Sequence, residues 1–304
     1  MKNLALILII LISSIAFAKN PNLGDFPVRT RNGQALTFEK DTAELDTVRV
    51  VPHLAVNEEW VSELTIRSDA DFEQCLVLEF FDANGNAISA SFYDSLGNHY
   101  EDTGFIIPDL QPFEIYSLDF DGLGSGARNM QVHILSNSAE TFYGLEAAYH
   151  RFSGGAKVAS VGVPIVAPGD IFILNLDQRL DPYTGNKRLR GFAVSNVDGL
   201  DCNCDVNLYN SFGVSEDGFG IPFPVRSVTI PAFGKWVGSV YQLFPEVDDL
   251  IGDNLGYMYF ECDNPASVLG LAFEQGTAVA TSVPIDFFVL TKNKDGKMVR
   301  TKRR

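Results

Sequence analysis

This chain of 304 residues contains little that suits metal, redox or nucleophilic chemistry. It has four cysteines, four histidines, four methionines and two tryptophans. The histidines (His53, His99, His133 and His150) all precede residue 151, so a site common to both halves cannot use one. There is no Gly-x-Ser-x-Gly elbow to expose a nucleophilic serine. No 12-residue window carries apolar residues at helical spacing, which argues against a helical core. After the first 18 residues no apolar run approaches the ~20 residues that a membrane helix needs, so no transmembrane span is expected in the mature chain. Cations are also scarce. Lys and Arg number 23 against 39 Asp and Glu, for a net charge of −16. Such a surface repels a phosphate backbone and argues against a nucleic-acid partner.

What is present begins with an export signal. Lys2 precedes the apolar run Leu4 to Ile12, and Ala16-Phe17-Ala18 fits a small-x-small cleavage site. Residues 1–18 are therefore expected to be removed, which places the protein in the periplasm, on the cell surface or outside the cell. Residues 19–44 have mixed polarity and no helical period, and read as a linker or an extra strand. The other terminus reverses the overall charge. Residues 292–304 hold seven Lys or Arg and one Asp, a block expected to be disordered and able to make electrostatic contact with an anionic envelope.

Between these ends the chain repeats itself. Gly144-Leu145-Glu146-Ala147-Ala148-Tyr149, Gly155 to Ser160 and Val163-Pro164-Ile165 answer to Gly270 to Phe273, Gly276 to Thr281 and Val283-Pro284-Ile285. Ile107 to Phe113 answers to Ile230 to Trp236. The spacing of 120 to 126 positions is the size of a domain rather than of a solenoid repeat. Each half reads as seven or eight short alternating strands. In Trp60 to Ser68, for example, Trp60, Ser62, Leu64 and Ile66 share the face expected to point inward. Asp82-Ala83-Asn84-Gly85-Asn86 is a strong turn signal between two such strands. The expected architecture is all-β, with one β-sandwich over 45–165 and a second over 166–291.

The residues Pro52-His53-Leu54-Ala55, the Leu-x-Ile-x-Ser strand, the Phe80 to Asn86 hairpin, Ile107-Pro108-x-Leu110-x-Pro112 and Gly144-Leu145-x-Ala147 resemble the repeated modules of bacterial secreted and surface proteins. The resemblance runs from about Val48 to Ile285. It implies two tandem immunoglobulin-like β-sandwich domains and brings no catalytic residues with it.

Four cysteines in an exported chain make disulfides possible. Cys75 and Cys204 occupy matching positions if Phe72 to Leu78 is aligned with Asp201 to Asn207. Cys75 has no partner in its own half and reads as a buried free thiol. Cys262 could bridge Cys202 or Cys204, and Cys202–Cys262 is preferred because Cys204 then matches the unpaired Cys75. A Cys/His metal cluster is disfavoured because the second half has no histidine.

Calcium would want clustered oxygens. Asp82-x-Asn84-x-Asn86 imitates the start of a calcium loop, but the twelfth position is Tyr93, and a hairpin turn is the better reading. The acidic loops 198–205 and 248–253 are the other places where calcium could sit. Two carboxylates across a cleft would suit a glycosidase, but sequence cannot choose a pair among 39. Gly122 to Gly126 reads as a flexible turn. Sugar binding needs exposed rings. Trp60, Trp236 and Tyr241 are strand-like, whereas Tyr93, Tyr100 and Tyr183 lie at strand ends or in the loops 95–104 and 178–187; loop 211–225 is a third candidate. The leading expectation is a non-enzymatic structural or interaction module with a protein or glycan partner at the cell surface and no required cofactor. A carbohydrate-binding protein using Tyr93, Tyr100 and Tyr183 is the alternative, and a hydrolase ranks third.

Overall fold

Period-two alternation places the strands. The computed structural model describes residues 15–17, 27–31, 35–37, 43–57, 59–121, 128–136, 143–165, 167–210, 225–274, 280–283, 285–292 and 298–302. They form an all-β protein. The chain divides into two compact units, residues 1–149 with 164–167, and residues 150–163 with 168–304.

In the first unit β4 (Ala43–Val56), β11 (Arg128–Ser136), β6 (Gln74–Phe81) and β9 (Gly104–Leu110) are neighbours, in that order. In the facing sheet β5 (Trp60–Ser68), β10 (Ile115–Phe120), β7 (Ala90–Asp94) and β8 (His99–Asp102) follow one another. The pairs β4/β11, β5/β10 and β6/β9 are nested in sequence, and β7/β8 is a hairpin set between the last two. That is the strand order of a jelly roll. It corrects the expected immunoglobulin order, in which the first two strands pair within one sheet.

The corner after β4 shows why. Asn57 Oδ1 accepts hydrogen bonds from the Glu59 and Trp60 amides, and the Asn57 amide bonds Trp60 O. The chain thus turns out of one sheet and into the other instead of closing a hairpin. Ser62, the polar residue on the expected inward face of β5, is fully buried because its hydroxyl donates to Ala55 O (2.8 Å) and accepts from Ala55 N (3.0 Å). Leu64 and Ile66 join it in the core. Between the sheets Phe92 meets Phe105 edge-on at 5.1 Å and Phe80 at 5.6 Å.

Extra strands extend both sheets. β1 (Ile15–Phe17), inside the expected export signal, runs parallel to Ala43–Leu45. The leader adds β2 (Pro27–Thr30), parallel to β9, and β3 (Ala35–Thr37). Arg31 anchors this leader. Its guanidinium bonds Asp109 (2.7 Å) and Glu114 (2.9 Å) and lies over the Tyr116 ring. β12 (Tyr143–Ser153) follows β5 in strand order and is followed by β13 (Ala156–Pro164); residues 150–163 of these two strands group with the second unit, which differs from the expected boundary at 165/166.

The same nested order recurs in the second unit. β14 (Gly169–Asp177) pairs with the start of β19 (Leu255–Glu274), which also pairs with β16 (Cys202–Asn210), and β16 pairs with β17 (Arg226–Ile230). β15 (Arg188–Asn196) pairs with β18 (Lys235–Ser239) and with the far half of β19. Two short helices, α1 (Val240–Leu243) and α2 (Val247–Ile251), follow β18. A capping box between Ser239 and Gln242 starts α1. β20 (Ala280–Ser282) lies on β19.

The turns before β10 and β18 match closely, and they set Phe113 against Phe233, which shifts the expected alignment of Ile107 to Phe113 with Ile230 to Trp236 by three residues. Glu114 N bonds Gln111 O, and Gly234 N bonds Pro231 O. Phe113 (φ 59°) and Phe233 (φ 51°) occupy the same left-handed position, the only two non-glycine residues at positive φ among those described.

The basic terminus is not without structure. β22 (Met298–Lys302) pairs antiparallel with β21 (Ile285–Lys292), which corrects the expectation of a disordered tail over 292–304. The sequence between them contains Asp295-Gly296, a dipeptide that favours tight turns.

Candidate functional site

The three tyrosines singled out from sequence do not gather. Tyr100 is 5 % exposed. Its ring packs on Phe92 and Phe105, and its hydroxyl donates to Arg31 O (2.9 Å) and Asp94 Oδ2 (3.2 Å). It is a core residue, which corrects its assignment as a free ring. Alternation along β8 turns His99 and Glu101 outward and Tyr100 and Asp102 inward. Tyr93, on the opposite face of the β7–β8 hairpin, is 38 % exposed and contacts the His99 ring at 4.8 Å. Tyr183 is 94 % exposed and belongs to the second unit, in a turn held by Asp181.

Asp82 and Asp94 each close a tight turn with their carboxylates. Asp82 Oδ1 accepts from the amides of Asn84 and Asn86, and Oδ2 from Asn86 Nδ2. Asp94 makes the same three bonds to Leu96, Asn98 and Asn98 Nδ2, then accepts the Tyr100 and Tyr116 hydroxyls as well. Gly85 and Gly97, both at φ 81°, supply the left-handed residue in each Asp-x-x-Gly-Asn turn. These hydrogen bonds hold the Asp94 carboxyl below the usual range, against its burial. In the acidic loops, Asp201 accepts the Ala232 amide and Asp248 pairs with Lys187 and Tyr241.

A serine, a histidine and an aspartate do meet in the first unit. Ser91 Oγ donates to Asp121 Oδ1 (2.5 Å) and lies 3.0 Å from His99 Nε2, which is 3.9 Å from Asp121 Oδ2. In a hydrolytic triad the imidazole stands between the other two and uses both its nitrogens. Here one nitrogen faces both partners, and the hydroxyl proton is given to the carboxylate. The cluster ties β7, β8 and the end of β10 together and does not activate the serine.

The most site-like surface lies on the outer face of the second unit. Along β19, Tyr257, Tyr259 and Glu261 point outward while Met258, Phe260 and Cys262 point into the core. Along β16, Asn203, Asp205, Asn207 and Tyr209 point outward in the same way. The register sets Tyr209 opposite Tyr257, Asn207 opposite Tyr259 and Asp205 opposite Glu261, and on the other flank Asn175 opposite Tyr257. The Tyr209 and Tyr257 rings stack at 4.8 Å with 9° between planes, and Tyr259 stands edge-on to Tyr209 at 6.4 Å. All three are half-buried. On the core side of β19, Gly256 leaves room for the β16 backbone and Ile251, since a Cβ there would stand 2.5 Å from Tyr209 O and 2.7 Å from Ile251 Cδ1. Tyr209 and Tyr257 stack on each other, Tyr259 stands beside them with its hydroxyl buried, and two amides and two carboxylates share this outward face, so aromatic surface and hydrogen-bonding groups lie together. Period-two reading of Tyr257-Met258-Tyr259 carried half of this signal; the partnership with Tyr209 depends on strand pairing. Loop 211–225 follows β16, but residues 211–224 lie outside those described, as do Gly122 to Gly126.

The cysteines also differ from expectation. The disulfide joins Cys204 to Cys262, and Cys202 is a buried thiol. This corrects the Cys202–Cys262 pairing. Cys204 and Cys262 are directly opposite in the β16–β19 register, with Cα atoms 4.0 Å apart. The misassignment is a one-residue slip. Gln74 pairs with Leu110, at the end of β9, as Cys202 pairs with Ile230, at the end of β17. Cys202 therefore corresponds to Gln74, and Cys75 corresponds to outward-facing Asn203 rather than to Cys204. Slipping a strand by one residue exchanges its faces.

One ionisable pair is deeply buried. Glu79 and His133 are cross-strand neighbours on β6 and β11, 5 % and 1 % exposed. Burial raises the Glu79 carboxyl to about 8 and lowers the His133 imidazole to about 3. The Phe81 ring lies edge-on to His133 at 4.7 Å. Both groups are held neutral near pH 7 in an apolar setting.

No protein-family model matches this chain, and neither the characterised proteins nor the solved structures searched contain a match to it.

Proposed function

We propose that the chain is an exported, non-enzymatic binding protein of the cell envelope or exterior, and that its ligand is a carbohydrate held on the outer face of β16 and β19. The observation that supports this reading is the convergence of Tyr209, Tyr257 and Tyr259 with Asn175, Asn207, Asp205 and Glu261 on one outward face. Sugars present an apolar face edged by hydroxyls, and rings beside amides and carboxylates complement both. The recurrence of one strand order supports descent from a duplicated domain. Jelly rolls serve lectins among many other proteins, so the fold agrees with this function without selecting it. Export rests on the Lys2 to Ala18 segment, and envelope contact on the basic residues 292–304.

The test is retention on a panel of insoluble polysaccharides and on native envelopes. The wild-type chain is expected to be retained on one polysaccharide class. Tyr257→Ala and Tyr209→Ala should each weaken retention by about tenfold with the far-ultraviolet spectrum unchanged. Tyr183→Ala should leave it unaffected. Retention that survives both face variants, or that no polysaccharide supports, refutes the assignment. Retention on envelopes alone, lost in salt, would point to the basic terminus instead.

A further inference from the structure

Three sulfurs meet inside the second unit. Cys204 and Cys262 are joined across β16 and β19, and Cys202 lies two residues earlier on the same inward face. Cys202 Sγ is 3.7 Å from Cys204 Sγ, and all three sulfur atoms fall within 4.8 Å of one another. The three residues are 0 %, 1 % and 6 % exposed in sequence order. Beside them stands Asn264 O, which accepts from Cys202 Sγ at 3.4 Å.

A tetrahedral thiolate centre has metal–sulfur bonds of about 2.3 Å, which separates neighbouring sulfurs by about 3.8 Å. The Cys202–Cys204 edge already has that length. The Cys204–Cys262 edge is shorter only because it is a covalent bond. A purely structural disulfide has no use for a third sulfur aimed at it from the same face of the strand.

We propose that reduction of the Cys204–Cys262 disulfide converts this cluster into a three-thiolate site for a soft, thiophilic ion such as zinc(II) or copper(I), formed by Cys202, Cys204 and Cys262. A dithiol supplies the two electrons and two protons that cleave the disulfide and leaves as a disulfide itself. Metal binding then releases three protons, one from each thiol. An ion that wants tetrahedral coordination would take its fourth ligand from outside this trio, since the Asp263 carboxylate is bonded to the Asn203 amide (2.7 Å) and side chain (2.9 Å). Disulfide and metal thus exclude each other, and the redox state of the surroundings decides which is present.

The experiment uses the full mature chain, reduced anaerobically by a dithiol, freed of it by gel filtration and titrated with cadmium(II). A thiolate-to-metal absorption band saturating at one equivalent is expected. Three of the four thiols should then resist alkylation, and the alkylated one should be Cys75. The oxidised chain should give no band. Cys202→Ser retains the disulfide partners and folds oxidised, and after reduction it should bind on the order of tenfold or more weakly. If reduction alone abolishes the near-ultraviolet dichroism, one equivalent of cadmium(II) should restore it. Absence of the band, equal affinity in Cys202→Ser, or failure to restore the dichroism overturns the proposal.

Discussion

Replacing Glu79 by Gln should make the first unit more stable, and by an amount that grows with pH. In the unfolded chain this carboxyl ionises near 4.5; in the fold, burial raises it to about 8. The native state therefore holds a proton that the unfolded state has lost. The stabilisation is fully present below about 4.5 and is lost progressively as the pH rises toward about 8. At pH 7.5 keeping the proton costs about 4 kcal/mol, and at pH 5 under about 1 kcal/mol. Gln has nearly the same shape and cannot ionise. Its amide carries a desolvation cost of its own, but that cost does not vary with pH. The robust quantity is the swing in Glu79→Gln minus wild type between pH 5 and pH 7.5, on the order of 3 kcal/mol in favour of the variant at the higher pH.

His133 works in the opposite direction. Its folded-state value near 3 lies below the ordinary 6.5, so its contribution is present above 6.5 and is lost as the pH falls toward 3. The two slopes cancel between about 4.5 and 6.5, where the wild type should show a plateau, and stability should fall on either side. In Glu79→Gln the decline above 6.5 should vanish. The assay is urea unfolding followed by tryptophan fluorescence in a Trp236→Phe background, which leaves Trp60 of β5 as the reporter for the first unit. A swing below about 0.5 kcal/mol would sink the account of a carboxyl held neutral by burial.

Phe113 and Phe233 share a left-handed backbone but differ in exposure, 71 % against 6 %. Phe113→Gly should stabilise by about 1 kcal/mol, because relief of strain outweighs an exposed ring, whereas Phe233→Gly should cost about 3 kcal/mol; equal signs in thermal melts would contradict this. Under oxidising conditions Cys262→Ser should cost about 4 kcal/mol, since the disulfide closes a loop with a sequence separation of 58, while Cys202→Ser should cost under about 1 kcal/mol. Peptide mapping without reductant should recover Cys204 linked to Cys262, and recovery of Cys202 linked to Cys262 would reverse the assignment. Asp94→Ala removes the acceptor for two backbone amides and two tyrosine hydroxyls and should lower stability by about 3 kcal/mol in denaturant titrations.

Much of the local structure is legible in the chain. The alternation of β5 and the turn at Asp82 to Asn86 follow from residue pattern, because each depends on neighbours a few positions apart. The functional face was legible only in part. Tyr257 and Tyr259 are visibly on one side of one strand, but Tyr209 lies 48 positions earlier and joins them only through the register of β16 on β19.

The sequence by itself determined that this protein is built of alternating strands and that its turns are held by aspartate and glycine. Tertiary structure alone decided that the strands nest as a jelly roll, that Tyr100 is core, that Cys204 and not Cys202 meets Cys262, and that three tyrosines share a surface. The physical reason is common to all four. A period of two tells which residues lie together on one side of a strand, but it is silent on which strand lies alongside and on the single-residue shift that exchanges inside for outside.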